Sequence, residues 1–376
     1  MQNIGAQQER VHELDSIRGI ASFCVVIWHC YNSLTLDMRA QLAWFTETPL
    51  RFLLNGDAAV IVFFVLSGYV LALPYLKPDS PKYWQFCVRR LCRIYIPFAV
   101  AILGAALIYA LTDRQPIPGE ITLGEEIWPN ALWDPRAFDP ALLWKHFVML
   151  GTMDGVMLNG PSWTLAHELR ISLIFPLLIY VCMNSRLGAA AAILLLAVTQ
   201  VLVLTIGDFD GYPSGAVHVW QTWLVTANFV PCFMLGILLA RHRQLLQAWV
   251  ARRTDGQAAC LWLAILMAFS VFPNYQLKQV LCMAAAGLLI VMVPVSPTAR
   301  TLLRRPVLLW LGNISYSLYL VNTPILFGIL FTMHPYAPLP VLMLGATLVS
   351  LGVATLMRRW VEAPAIIWGR RLTRQT

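Results

Sequence analysis

LDSIRGIASFCVVIWHC, residues 14–30, is an apolar run that holds a permanent cation, Arg18, near its start and a titratable ring, His29, well inside. Ionisable side chains are expensive in a bilayer and by default mark functional positions. The two are eleven residues apart. On a helix that is three turns plus about 20°, with a rise of about 16 Å. Arg18 and His29 therefore share one face, with Arg18 at a membrane mouth and His29 past the midplane. The plainer alternative, a snorkelling arginine and a packing histidine, leaves the shared face unexplained.

The rest of the chain has the same membrane character. Of its 376 residues 59% are hydrophobic and 12% charged, against about 25% charged in a soluble domain. The bilayer core needs about 20 apolar residues per helix. Ten runs qualify: 17–34, 57–76, 95–112, 162–182, 188–206, 219–240, 258–273, 277–293, 307–332 and 338–357. The expected fold is all-α, a polytopic integral membrane bundle forming a single domain over 1–376. A formal net charge of +8 does not point to nucleic acid, because the basic residues sit in short clusters between the runs. Setting aside Arg18 and Arg170, only Arg39, Arg51, Arg114, Arg136, Lys145 and Lys278 fall in one set of alternate loops. All other Lys and Arg fall in the second set, the pattern of loops facing the cytoplasm. An odd number of spans would mix the sets, so both termini are expected inside. The eight cysteines show no ligand spacing and read as small buried hydrophobes, with no disulfide framework and no metal.

The segment 113–161 is expected to be a long exterior loop. It is acidic and holds Trp128, Trp133 and Trp144. These read as interfacial anchors, or else as a platform for sugar rings. PSWTLAHELRIS, 161–172, carries Thr164, Glu168 and Ser172 as a polar stripe at i, i+4 and i+8. Glu168 reaches a depth similar to that of His29 and is expected to orient it or to hold an acceptor sugar. His167 and Arg170 share another face, with no partner assignable. Asp15, one turn before Arg18, is placed to orient it. FFVLSGYVLA, 63–72, offers Ser67 as a nucleophile or, preferably, as half of a small Ser-Gly packing step. LGNISYSLYLVNTP, 311–324, is polar enough, with Tyr316 and Asn322 among others, to line a cavity. FCVRRLCRIYIP, 86–97, reads as a basic loop. Its Arg89 and Arg93, one turn apart, are candidates for nucleotide phosphates or for anionic lipid.

The Arg18 to His29 rise suits a coenzyme A thioester, with phosphates paired to arginine at the mouth and the acyl group at the far end. There a neutral histidine can take the proton of an attacking hydroxyl.

LDSIRGIASFCVVIWH, with ten residues between arginine and histidine, resembles the opening signature of the membrane acyltransferase family 3. FFVLSGYVLA, FCVRRLCRIYIP, PSWTLAHE, LGNISYSLYL and VEAPAIIWGRRL resemble further family blocks in the expected order. The resemblance implies a multi-pass O-acyltransferase of the bacterial inner membrane. Its donor would be acyl-CoA, most often acetyl and sometimes succinyl, and its acceptor an exported or lipid-linked glycan, with glycan-export machinery as a possible partner. It implies essential roles for Arg18 and His29 and supports Glu168. The chain departs from the pattern at Asn322, where many members have histidine. Asn322 hydrogen-bonds but cannot shuttle protons near neutral pH. Many relatives also carry a soluble esterase-like domain after the last span. Its absence here leads us to expect that transfer is completed in the membrane part or with a partner. The competing class is a transporter or flippase of a lipid-linked sugar, which would move its substrate without consuming a thioester.

Overall fold

The computed structural model describes residues 12–78, 80–112, 117, 120–122, 125–126, 133, 144–149, 158–206, 219–271 and 275–374. These form a helical bundle in the order α1 (His12–Asn32), α2 (Leu36–Gln41), α3 (Ala43–Thr46), α4 (Gly56–Ala72), α5 (Tyr83–Leu111), α6 (Ser162–Met183), α7 (Ser185–Ile206), α8 (Val219–Arg241), α9 (Arg243–Ala251), α10 (Asp255–Ser270), α11 (Tyr275–Met292), α12 (Pro297–Leu303), α13 (Pro306–Met333), α14 (Leu339–Met357) and α15 (Ala363–Leu372). A small antiparallel ribbon, β1 (Glu120–Thr122) with β2 (Glu125–Glu126), interrupts them.

Seven helices among the described residues are long and apolar enough to cross a membrane, or eight if the bent pair α11–α12 is one span. The chain is thus a multi-pass membrane protein. Of the ten expected runs, α1 falls short in apolarity because Asp15, Arg18 and His29 lie in it, and α10 is short at 16 residues. The eighth run coincides with α11, and α12 follows it at 94°.

The central seam is the contact between α1 and α13. A Cβ on Gly19 would lie 2.5 Å from Gly312 N, and one on Gly312 would lie 2.3 Å from Asp15 O. Only glycine lets the two backbones meet here. Beyond this crossing, Ser22 Oγ donates to Ser315 O at 2.9 Å, and His29 meets Asn322, each pair separated by 293 residues in the chain. The constant offset means that α1 and α13 run parallel, side by side, in fixed register. A second close crossing joins α4 to α8, where a Cβ on Gly68 would lie 2.3 Å from Phe233 O.

Two sequence expectations change. Residues 86–97 are not a loop: they form the first turns of the 29-residue helix α5, in which arginines are tolerated at the membrane boundary while the later turns are apolar. Trp133 is not an interfacial anchor. It is 3% exposed, stacks on Phe331 at 5.8 Å and meets Phe327 edge-on. Its indole N–H donates to Leu158 O at 3.3 Å, so both the apolar and the polar parts of the ring are satisfied inside the protein. Trp144 is exposed; Trp128 lies outside the described residues. After the tenth run the chain stays in the bundle. A π turn, Arg358–Glu362, carries it into α15, which packs along α5 with Gly369 close against the Arg89 backbone.

Candidate active site

A cavity of about 550 Å³ opens among α1, α4, α5, α6, α13 and α15, within the range of small-molecule and cofactor sites. Its charged lining is Asp15, Arg18, Arg90, Arg93, Glu168, Arg358, Glu362 and Arg370. Five guanidinium groups thus face three carboxylates, leaving an excess of positive charge. Ser67, Thr164, Tyr316 and Tyr319 supply hydroxyls, and Phe63, Phe64 and Ile94 supply apolar walls.

Local sequence explains how each group gets there. Arg18 lies on α1 within 3.7 Å of Asp15, the i, i+3 partner expected from spacing. The stripe on α6 is present as read: Thr164 and Glu168 line the cavity. Ser172 accepts from Arg90 Nε at 3.2 Å, while Arg90 Nη2 holds Glu168 at 2.6 Å. Ser67 Oγ also donates to Glu168, at 3.3 Å. The Ser-Gly step on α4 therefore divides its labour: Gly68 makes the close packing and Ser67 faces the cavity. Tyr316 lines the cavity and donates to Ile94 O at 2.8 Å, tying α13 to α5.

The arginines of α5 need a correction. Arg93 lines the cavity, but its neighbour there is Arg90 and not Arg89. Both pairings are about one turn apart, and spacing alone did not choose between them. Arg89 points at α15, where its Nε donates to Thr373 Oγ1 at 2.8 Å. Glu168 likewise has Arg90 and Ser67 as partners and does not touch His29.

His29 does not line the cavity. It is 4% exposed, and its Nδ1 lies 2.5 Å from Asn322 Oδ1 and 3.1 Å from Thr323 Oγ1. The Asn322 Nδ2 donates to Leu318 O at 3.0 Å and Tyr319 O at 2.8 Å. With its N–H groups committed to carbonyls, the amide can only turn its oxygen to the ring. Nδ1 therefore carries the proton and Nε2 the lone pair. Pro324 lacks an N–H and frees Leu320 O within α13; Asn159 Nδ2 donates to that carbonyl at 2.8 Å.

Arg18 and His29 are therefore not joined by one open track. Tyr319 stands on the cavity wall, one turn of α13 before Asn322. Its hydroxyl is 2.8 Å from that of Thr164, and its ring meets Phe63 edge-on at 5.6 Å. These three side chains line the cavity, and His29 is not part of its lining.

His167 and Arg170 have structural partners on α8. His167 Nδ1 lies 2.7 Å from Thr226 Oγ1. Arg170 donates to Met149 O at 2.9 Å and to Thr222 Oγ1 at 3.1 Å, and its guanidinium sits over Trp223. The sequence reading missed Arg358, Glu362 and Arg370: the two arginines count there among the charges that orient the chain, and Glu362 stands only within the block VEAPAIIWGRRL. Their available signal was the i, i+4 pairing of Arg358 with Glu362 beside an apolar helix.

Fold and cavity define a multi-pass helical membrane protein with an internal arginine-lined site. The sequence matches the acyltransferase domain over residues 11–359, and the chain belongs to this family, membrane acyltransferase family 3. It is 28% identical to acyltransferase MdmB of Streptomyces mycarofaciens over 83% of this chain and 79% of that one. It is 22% identical to O-acetyltransferase PaAT-1 of Phomopsis amygdali over 83% of this chain and 71% of that one. It is also 24% identical to nodulation protein 10 of Rhizobium leguminosarum bv. viciae, over 45% of this chain and 44% of that one. No solved structure matches the chain. The protein is an acyltransferase.

Proposed function

We propose that the protein transfers an acyl group, acetyl in the first instance, from cytoplasmic acyl-CoA to a hydroxyl of an exported or lipid-linked glycan in a bacterial inner membrane. The observation that carries this reading is the fixed tautomer of His29, with its basic nitrogen opposite an uncharged clamp, one helical turn beyond an arginine-lined cavity. The alternation of basic and poorly basic loops favours cytoplasmic termini, and that orientation puts the Arg18 mouth on the side where the donor is made. The O-acetyltransferase name of one relative supports the short acyl group.

In this mechanism the donor's phosphates pair with Arg18 and Arg93. Arg90 is held by Glu168 and Ser172 and shapes the wall. The acyl arm points toward Tyr319. Displacement of the Tyr319 and Phe63 rings opens the way to His29. His29 Nε2 accepts the proton of the acceptor hydroxyl as its oxygen attacks the thioester carbonyl. Collapse of the tetrahedral adduct breaks the C–S bond, and the imidazolium returns its proton to the leaving thiolate. The products are an ester and free coenzyme A.

The test compares glycans, by mass, from cells carrying the wild-type gene, no gene, or His29→Ala. The expected result is an acyl increment present only with wild type. An unchanged increment in His29→Ala, inserted at wild-type level, would overturn the mechanism.

A further inference from the structure

Part of the cavity's charge comes from the end of the chain. Arg358 and Glu362 bracket the π turn between α14 and α15. Such turns widen a helix locally and are frequent at functional sites. Here the turn sets both side chains on α13. Arg358 Nε donates to Asn313 Oδ1 at 3.1 Å, and Ser317 Oγ donates to Glu362 Oε2 at 2.8 Å. Asn313 and Ser317 are four residues apart, so one face of α13 receives both.

This arrangement leaves Arg358 poised for something else. Its Nη1 is enclosed and has no hydrogen-bond acceptor; the nearer Glu362 oxygen lies 3.7 Å away, beyond hydrogen-bond reach. A buried donor left unmade calls for an explanation, and this one belongs to a side chain that lines the cavity. Arg370, from α15, lines the same cavity. α15 is held in place by Arg89 and Gln85, which donate to Thr373 Oγ1 at 2.8 Å and Thr373 O at 3.2 Å. Arg18, Arg90 and Arg93 lie within electrostatic range of one another, with Asp15 and Glu168 as counter-charges of Arg18 and Glu168 as that of Arg90. Arg358 answers instead to Asn313 and Glu362.

We propose that Arg358 and Arg370 form a second anion-binding pole of the cavity, separate from Arg18 and Arg93, that takes a further phosphate of the nucleotide-bearing donor. The proposal rests on the acyl-CoA reading above. A coenzyme A thioester carries a diphosphate and, apart from it, a phosphate on the ribose, so it asks for two cationic positions. A guanidinium pinned through Nε and with a nitrogen to spare presents the planar fork that matches phosphate oxygens.

The test uses purified protein, its acceptor glycan and two donors. One is acetyl-CoA; the other is acetyl-pantetheine, which has the same thioester and arm but no phosphate. Arg358→Gln is expected to raise the KM for acetyl-CoA by about tenfold or more, the value of a lost charged hydrogen bond. Its kcat/KM for acetyl-pantetheine should stay within twofold of wild type. Arg358→Lys should restore part of the loss. Arg370→Gln, at an exposed position, should show the same donor-selective loss, and it keeps the test open if Arg358→Gln does not fold. Equal losses with both donors would mean that these arginines only hold the helix, and unchanged KM values would mean that they bind nothing; either result overturns the proposal alone. A wild-type protein that uses neither donor would overturn the acyl-CoA reading as well.

Discussion

The two ends of α1 are built on contrasting electrostatics. Around Arg18 the neighbours carry charge: Asp15, Arg90, Arg93 and Glu168, with solvent reaching about a fifth of the Arg18 and Asp15 side chains. At His29 Nδ1 the described partners are neutral, an amide and a hydroxyl, and the ring is buried. The contrast follows from the tasks proposed for them. Anion recognition needs net positive charge, and Arg is suited to it because it stays protonated. A buried base needs one defined lone pair. A carboxylate on Nδ1 would favour the charged ring before any substrate arrives, whereas an amide fixes the tautomer without adding charge.

The sharpest way to break this contrast is His29→Ala. Transfer should fall by about 10²–10⁴-fold, the usual worth of a positioned acid–base group, while the KM for donor changes little. Steady-state kinetics on the purified protein separates the two parameters.

Arg90→Gln attacks the charged end. It leaves Glu168 inside the protein without its cation, and such breaks cost about 3–5 kcal/mol when the pair is buried. The pair here is 9% and 19% exposed, so the lower part of that range is expected from thermal unfolding in detergent. Replacing both partners with apolar residues of similar size should recover most of the loss.

Changes at Asn322 probe the neutral end from within. Asn322→Leu keeps the volume and removes the acceptor, so kcat should drop about tenfold, the equivalent of a hydrogen bond of roughly 1–1.5 kcal/mol. Asn322→Asp makes the neutral end charged. The protonated ring then persists to higher pH, and the low-pH limb of the rate profile should move upward. An unshifted limb would show that Asn322 does not govern His29.

The smallest effect belongs to Tyr319, on the cavity wall between the ends. Tyr319→Phe removes the contact with the Thr164 hydroxyl, worth about 0.5–1.5 kcal/mol. Stability should fall by no more than that, and access to His29, read as the rate of its modification by diethyl pyrocarbonate, should rise.

Much of this architecture is legible from residue spacing. The α6 stripe, the Asp15–Arg18 pair, the polar face of α13 and the shared face of Arg18 and His29 all follow from the 3.6-residue repeat, because they are local. What spacing cannot give is the partner across the bundle. Arg89 and Arg90 are both one turn from Arg93 to within a residue, and only the docking of α15 decides which of them meets the cavity. Arg358 and Glu362 have the composition of a membrane boundary; the π turn that swings them onto Asn313 and Ser317 has no sequence signature of its own. Trp133 shows the same limit, since an aromatic ring near a surface segment carries no mark that it folds inward onto Phe331. Asn322 was noticed as a departure from a family pattern, but its pairing with His29 required knowing that α1 and α13 lie in parallel register.

That register has a consequence for how the protein is made. At roughly 5–20 residues per second, a ribosome reaches Asn322 some tens of seconds after His29, 293 residues later. Until then α1 must sit in the membrane with Gly19, Ser22 and His29 turned toward lipid, other helices or a chaperone. The clamp on the histidine thus arrives only after the twelve described helices that precede α13, and a chain cut short before α13 would insert those helices and still lack a formed site.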